Sequence, residues 1–259
     1  MRAADSIKLL GVTVSSVSLD QAVAVIERWI RKSEPNFVTC TGMHGVMESQ
    51  ADEAIRQIHN DAGMVVPDGM PLVWMNHYHG RRHVTRCYGP DLFLAVLQRS
   101  VENDAGFKHF FYGGAEGVPE MLAERMREKF PALQVVGTWS PPFRPLTPEE
   151  DDEVMKMIRD SGADIVWIGL STPKQERWMA DHVEKLGRPV LIGVGAAFDF
   201  YTGRVTQAPR WIQRSGLEWF FRMVMEPRRL WKRYLKNVPL FLILVIREMA
   251  TGKRQYPRR

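Results

Sequence analysis

Apolar and polar positions along the chain switch repeatedly between a period of two and a period near 3.6. Ile7 to Val14 alternates around Gly11 and reads as a strand or hairpin. Ser18-Leu19-Asp20-Gln21 then opens a helix whose apolar positions are Ala22, Val25, Ile26 and Trp29. Asn36 to Thr41 predicts a strand with Thr39 and Thr41 near its end, and a helix from about Val46 to Asn60 leads into a short buried strand, Met64 to Val66. Pro67 and Gly69 punctuate a turn, and Pro71 sits where a helix can begin. Asp68 therefore stands at the mouth of a strand-to-helix turn.

The alternation continues. A polar, His-rich patch, Asn76 to His83, precedes Thr85 to Asp91 and a helix through Val101. Lys108 to Tyr112 is a buried strand running into Gly113-Gly114-Ala115-Glu116-Gly117, with a helix from Pro119 to Lys129. Val135 to Trp139 is a strand; Thr147-Pro148-Glu149-Glu150 carries a cap, a first-turn proline and acids where the helix dipole favours them. Ile165 to Leu170 and Val190 to Val194 are further strands, the first turned by Ser171 to Trp178 into a helix, the second followed by Gly195 to Phe200. Strands and helices in this order predict an α/β protein: an open, mostly parallel, Rossmann-like sheet with helices on both faces.

Composition is uneven along the chain. With 45% hydrophobic and 25% charged residues in 259, the chain is globular and long enough to bury a full core. Its net charge of +5 conceals an asymmetry: from Tyr201 onward 14 Lys and Arg face three acids, a net of +11, which leaves residues 1–200 at −6. The chain is thus expected to divide into an α/β domain, 1–200, and a basic helical appendage, 201–259. Such an appendage needs an anionic partner: a phospholipid surface, a diphosphate or a nucleic acid. Aromatic and basic residues interleave from Trp211 to Tyr234, and Val238 to Ile246 is apolar, followed by Arg247, Lys253 and Arg254. That run falls short of the roughly 20 apolar residues that span a bilayer. It suits a helix pair lying on a membrane, or else a helix docked on the α/β core or a dimer partner. Only Cys40 and Cys87 occur, without CxxC spacing, and the amino terminus lacks a secretory apolar run, so the expected setting is reducing and cytosolic.

Several polar residues fall at strand ends: Thr39 and Thr41, Asp68, the turn before Gln175, and Asp199. Their convergence on one rim would make a site. Each has a plainer role: Asp68 as the N-cap of the following helix, Gln175 pointing to solvent, Asp199 capping or pairing with an arginine. The Gly113 to Gly117 turn could bring backbone N–H groups to a phosphate or serve strand geometry alone. His77, His79 and His83 imitate zinc ligands but belong with a solvated loop, and Asp151 and Asp152 with a solvated helix face. No DxD triplet is present to hold a metal on a nucleotide diphosphate. The charge of a departing diphosphate would then fall to Arg222, Arg228, Arg229, Lys232 and Arg233 or to helix N-termini.

Pro67-Asp68-Gly69, Arg86 through Gly89 to Asp91, Gly169 to Glu176, Gly195 to Asp199, Gln207-Ala208-Pro209-Arg210-Trp211 and Gly216 to Arg222 together resemble the WecG/TagA/CpsF glycosyltransferases, family 26, over about Ile7 to Tyr234. The resemblance implies a peripheral, metal-independent, inverting transferase without a cofactor. It would move a sugar from a UDP-sugar to a polyprenyl-diphosphate-linked saccharide at the cytoplasmic face of the inner membrane, in cell-surface polysaccharide synthesis. Residues 1–200 would be catalytic and 201–259 would bind the anionic membrane surface. Asp68 matches the family's general base; Thr39, Arg86, Gln175 and Asp199 match its substrate-site residues, with Thr41 standing where members commonly carry Asn. Arg222, Arg229 and Lys232 match the cations that close over the donor diphosphate. The Thr41 departure bears on which sugar is taken rather than on the reaction class. Nucleic acid is not among the implied partners, and an apolar tail can also pair with itself where lipid is absent, which leaves a homo-oligomer open. Two other readings compete. A dinucleotide-dependent oxidoreductase would need an acid about 20 positions after the glycine turn, and Leu133 to Gly137 offers none. A non-catalytic α/β module would bind anionic lipid or RNA through the tail.

Overall fold

The computed structural model describes residues 5–102 and 105–251; Lys253 and Arg254 of the basic tail, and the side chain of Arg229, lie outside the described residues. The chain opens on an antiparallel hairpin, β1 (Ser6–Leu9) and β2 (Val12–Ser15), turned by Leu10 and Gly11 at φ of 48° and 83°. Two positive φ values are what a tight hairpin turn requires to match strand twist. Helix α1 (Leu19–Lys32) starts as its sequence predicts, with Ser18 and Gln21 forming a reciprocal capping box, and buries Ala22, Ile26 and Trp29.

A six-stranded parallel sheet forms the centre, in the order β4-β3-β8-β7-β5-β6. Its strands are β3 (Asn36–Thr41), β4 (Met64–Pro67), β5 (Lys108–Gly113), β6 (Gln134–Trp139), β7 (Ile165–Gly169) and β8 (Val190–Gly193). Side chains along them divide strictly by alternation. Val38, Met64, Val66, Phe111, Trp167 and Ile192 join one core; Phe37, Val65, Phe110, Tyr112, Val166, Ile168 and Leu191 join the other. A sheet buried on both faces reads as near-continuous apolar runs, which is why these strands were legible.

Helices cover both faces. The first core is closed by α1, α5 (Gly89–Val101), α6 (Val118–Lys129) and the short α9 (Ala197–Tyr201); the second by α7 (Pro148–Ser161) and α8 (Lys174–Leu186). The predicted helix over 46–60 is instead two, α2 (Met43–Ala51) and α3 (Glu53–Asp61). Asp52 between them is extended, and its carboxylate accepts the N–H groups of Ala54 and Ile55, so a side-chain cap breaks the run. Helix α4 (Met70–Tyr78) follows β4 and takes in part of the His-rich patch. There His77 Nε2 meets the Val84 carbonyl at 2.8 Å and His83 Nε2 the Ser16 carbonyl at 3.0 Å, so both rings fasten a loop. Among the described residues no three His, Cys, Asp or Glu side chains gather as a metal-ligand set.

The glycine turn after β5 serves geometry. Gly113, at φ 124°, lies so close to Gly169 of β7 that a Cβ would stand 2.7 Å from its carbonyl carbon, and Gly114 N–H donates to the Gly169 carbonyl.

The appendage consists of α10 (Arg210–Ser215), α11 (Glu218–Met225) and α12 (Pro227–Ala250), with Pro239 inside the last. Helix α12 lies against the hairpin, α2 and α4: Phe241 and Val245 share an apolar cluster with Ile7, Leu9, Val12, Val14, Val46, Met47, Leu72 and Met75. The tip of the hairpin is held from two sides, Leu10 N–H donating to Glu248 Oε2 at 2.9 Å and Gln50 Nε2 donating to the Leu10 carbonyl at 2.7 Å. Burial of each large apolar side chain stabilises by about 1.5–3 kcal/mol, so this contact docks the helix. The outer face stays apolar: Leu242, Ile243 and Ile246 are more than half exposed. Among the described residues no helix is long and apolar enough to cross a membrane.

Candidate active site

Four strands end at one cavity. Chain leaving β3 turns into α2 and α3, and α3 packs on α8 at one face of the sheet, whereas chain leaving β8 turns into α9 against α5 and α6 at the other. Neighbouring strands whose exits part in this way open a crevice at their carboxyl ends. The appendage roofs it, enclosing about 530 Å³ lined by Thr41, His44, Asp68, Arg86, Tyr88, Gln175 and Glu176 from the core, and by Glu218, Trp219, Arg222, Arg233 and Phe241 from the tail.

Asp68 follows β4 directly, its N–H donating to the Thr41 carbonyl at 3.0 Å and extending the β3–β4 ladder by one bond. The N-cap of α4 is Gly69, without a side-chain bond, so Asp68 does not cap that helix. Its Oδ1 instead accepts the N–H of Gly89, at the start of α5, at 2.7 Å. Although the residue is partly open to the cavity, its carboxyl group is enclosed by protein, and burial pushes its pKa up to about 6. Nearby Glu218 adds to the rise, while the guanidinium groups of Arg86 and Arg222 and the Gly89 N–H oppose it. The result is a carboxyl group poised near neutrality, as general-base work requires.

Arg86 ties three parts of the rim together. Its Nε donates to the Asp68 carbonyl at 2.5 Å, Nη1 to the Gln213 carbonyl at 3.2 Å and Nη2 to Glu218 Oε2 at 2.5 Å, and the guanidinium lies 4.1 Å from the Tyr88 ring centre. The rigid fork reaches core and appendage at once. Gly216, just before α11, has φ 80°, and a Cβ there would stand 2.6 Å from the Trp74 indole, so glycine suits both the left-handed turn and the close approach of the tail to α4.

Two cations from the tail face the cavity. Arg222 lies beside Phe200 and its Nη2 is 3.9 Å from Glu226; Arg233 lies over Tyr234 with Nη1 3.4 Å from His44 Nε2. The buried Nε of each has no hydrogen-bond partner among the described residues. His44 is kept neutral, its pKa lowered to about 4 by burial and by the charges of Arg233 and Arg222.

The cavity gathers Asp68, Thr41, Arg86, Gln175 and Arg222 from the sequence-predicted set. Three others fall outside its lining. Thr39 shares the Thr41 side of β3 but lies one pleat deeper, where its Oγ1 accepts from Thr41 Oγ1 at 3.0 Å. Asp199 lies in the first turn of α9, 3.8 Å from Arg204, on a half-exposed surface. Lys232 is exposed with its Nζ beside Trp231, and the next residue around the helix, Arg233, takes the cavity position. The side chain of Arg229 lies outside the described residues. Sequence reasoning missed Glu218, Glu176 and His44 as site residues. For Glu218 a signal existed, since it is the only acid between Tyr201 and Met225.

The chain matches the Glycosyl transferase WecG/TagA/CpsF family over residues 7–255. It is 29% identical over 199 residues to the N-acetylglucosaminyldiphosphoundecaprenol N-acetyl-beta-D-mannosaminyltransferase of Bacillus subtilis (strain 168), covering 77% of this chain and 74% of that protein. To the protein of the same description in Bacillus spizizenii it is 29% identical over 229 residues, 88% of this chain and 86% of the relative. A match spanning the sheet, the rim and the appendage alike makes this chain a member of the WecG/TagA/CpsF family, and an enzyme that transfers glycosyl groups.

Proposed function

We propose that this enzyme transfers a sugar from a UDP-sugar to N-acetylglucosamine carried on a polyprenyl diphosphate, a step of cell-wall or exopolysaccharide polymer synthesis. The relatives' names supply the acceptor class; N-acetylmannosamine is the first sugar to test. One observation carries the reading. Asp68, a carboxyl group near neutrality, and the two tail arginines with unspent donors, Arg222 and Arg233, face a single cavity.

In the proposed reaction the acceptor hydroxyl approaches Asp68, which takes its proton as the oxygen attacks the anomeric carbon from the face opposite UDP. The bond to the diphosphate breaks in the same displacement, inverting the configuration. Arg222 and Arg233 meet the charge that develops on the departing diphosphate, so the scheme is metal-independent. Arg229 and Lys232 remain candidates for the same role once donor is bound; Thr41 and Gln175 would contact the sugar. Thr39 would steady Thr41, and Asp199 would act only after a movement of α9.

The cavity wall offered by Val238, Phe241, Leu242 and Val245 is apolar and continues onto the exposed face of α12, which suits an acceptor with a polar head and a hydrocarbon tail. We place the enzyme peripherally on the cytoplasmic face of the membrane through that face and its basic flanks. Incubation with a panel of UDP-sugars and a short-chain lipid-diphosphate N-acetylglucosamine, in the presence of EDTA, tests the reading. UDP release that needs both substrates supports it; release unaffected by omitting the lipid acceptor, or no release with any donor, contradicts it.

A further inference from the structure

The turn from β7 into α8 presents three polar side chains to the cavity, and their hydrogen bonds are shared unequally. Gln175 Oε1 accepts the N–H of Gly195 at 3.1 Å, and its Nε2 donates to Glu176 Oε1 at 3.1 Å. Thr172 Oγ1 donates to that same oxygen at 3.0 Å. Gln175 has therefore engaged its carbonyl and one of its two amide hydrogens inside the protein. Glu176 is the opposite case. It is 1% exposed and lines the cavity, one oxygen is doubly held, and the other, Oε2, has no hydrogen-bond partner among the described residues.

A buried acceptor without a protein donor is costly, and such groups are completed by ordered water, an ion or a bound ligand. The fixed orientation of Oε1 aims the remaining oxygen, which is how a binding group is pre-organised. One other buried group competes for Oε2: His59 of α3, close enough to feel the Glu176 charge, has a buried Nε2 that is also unpartnered among the described residues. Burial lowers the pKa of His59 against that charge.

We propose that Glu176 is a substrate-binding residue of this transferase, its Oε2 accepting a hydrogen bond from a hydroxyl or acetamido N–H of a bound sugar, with Thr172 and Gln175 as its positioning residues. The inference rests on the glycosyltransferase reading above and names the group that grips the sugar. Loss of an interaction made equally in ground and transition states raises KM with kcat little changed.

The test is steady-state UDP release by wild type and Glu176→Gln, varying UDP-sugar and short-chain lipid-diphosphate N-acetylglucosamine in turn, beside thermal melts of both proteins without substrate. Glu176→Gln is expected to raise KM about tenfold or more for one of the two substrates, a loss typical of a charge-assisted hydrogen bond, with kcat held and a melting temperature equal to or above that of wild type. A rise in the UDP-sugar KM assigns the contact to the donor, a rise in the lipid KM to the acceptor. Both KM values within twofold of wild type, beside an active wild type, would overturn the proposal and leave Oε2 to His59. If wild type releases no UDP with any donor, the transferase reading falls and takes this inference with it. Should Glu176→Gln fail to fold, Thr172→Val, which unties Oε1, carries the same test: a raised KM for one substrate supports the proposal and two unchanged values overturn it.

Discussion

Asp68 is a residue at which burial and the charges of Arg86 and Arg222 act in opposite senses, and burial wins. Its folded pKa of about 6 stands above the unfolded value near 4, so across that window the folded state holds a proton that the unfolded state has released. Stability attributable to this group is complete below pH 4 and is lost as pH rises through 6, a cost on the order of 2–3 kcal/mol at neutrality. Asp68→Asn, which never ionises, is therefore expected to melt above wild type at pH 7, with the gap closing toward pH 4; thermal scans across that range check both sign and window. Arg86→Lys should lower kcat/KM about 10–100-fold, because an ammonium cannot serve three acceptors lying in different directions. Faster proteolysis within the appendage would show that the same change loosens the tail. How much of this was legible depends on reach. Asp68 could be found because Pro67, Gly69 and Pro71 mark its turn locally. Its partners could not: Glu218 meets Arg86 across 132 positions and Arg233 meets His44 across 189, and no local period encodes either meeting. Asp199 and Thr39 show the converse, since a strand-end position fixes neither how far down the pleat a side chain lies nor which way a short helix turns it.

Helices and strands were recovered wherever one physical signal dominated. Capping boxes at Ser18 and Thr147 and the twice-buried strands are such cases. Where two signals competed the boundary moved: the apolar run over 46–60 is helical in period, but the Asp52 side chain satisfies the next helix's first N–H groups and splits it. Helix α12 illustrates the other limit. Its apolar run from Val238 to Ile246 is compatible with a lipid surface or with docking on protein, and the structure divides it, Phe241 and Val245 inward, Ile243 and Ile246 outward, with Leu242 at the cavity rim between them. The inward face holds the cavity roof. Phe241→Ala, at a site 3% exposed, should cost about 3 kcal/mol. The expected outcome is faster amide exchange over residues 230–250 and lower kcat/KM, with exchange in the central sheet unchanged; uniform acceleration throughout would show instead that α12 is part of one cooperative core.

At the scale of the molecule, the acidic part, residues 1–200, and the basic part, 201–259, meet at the cavity. The tail carries +11 and the remainder −6, and exposed Trp211, Phe220, Leu235, Ile243 and Ile246 stud the basic part. An anionic bilayer would meet both features, apolar side chains supplying burial and cations the long-range attraction that salt screens. Leu235→Glu with Ile246→Glu should abolish co-sedimentation with anionic vesicles and leave turnover of a short-chain, water-soluble acceptor within about threefold of wild type, because neither side chain lines the cavity. An equal loss on both acceptors would mean that this face serves catalysis rather than attachment. The proposed mechanism turns on removal of the acceptor proton by Asp68. It is met most directly by single-turnover transfer to that soluble acceptor, with wild type and Asp68→Asn compared from pH 5 to 8. The expected result is a wild-type rate that falls below pH about 6 with unit slope, and a folded Asp68→Asn enzyme slower by about 10²–10⁴-fold at pH 7 with no such limb. An Asp68→Asn rate close to wild type, or one that keeps the same acid limb, would contradict it.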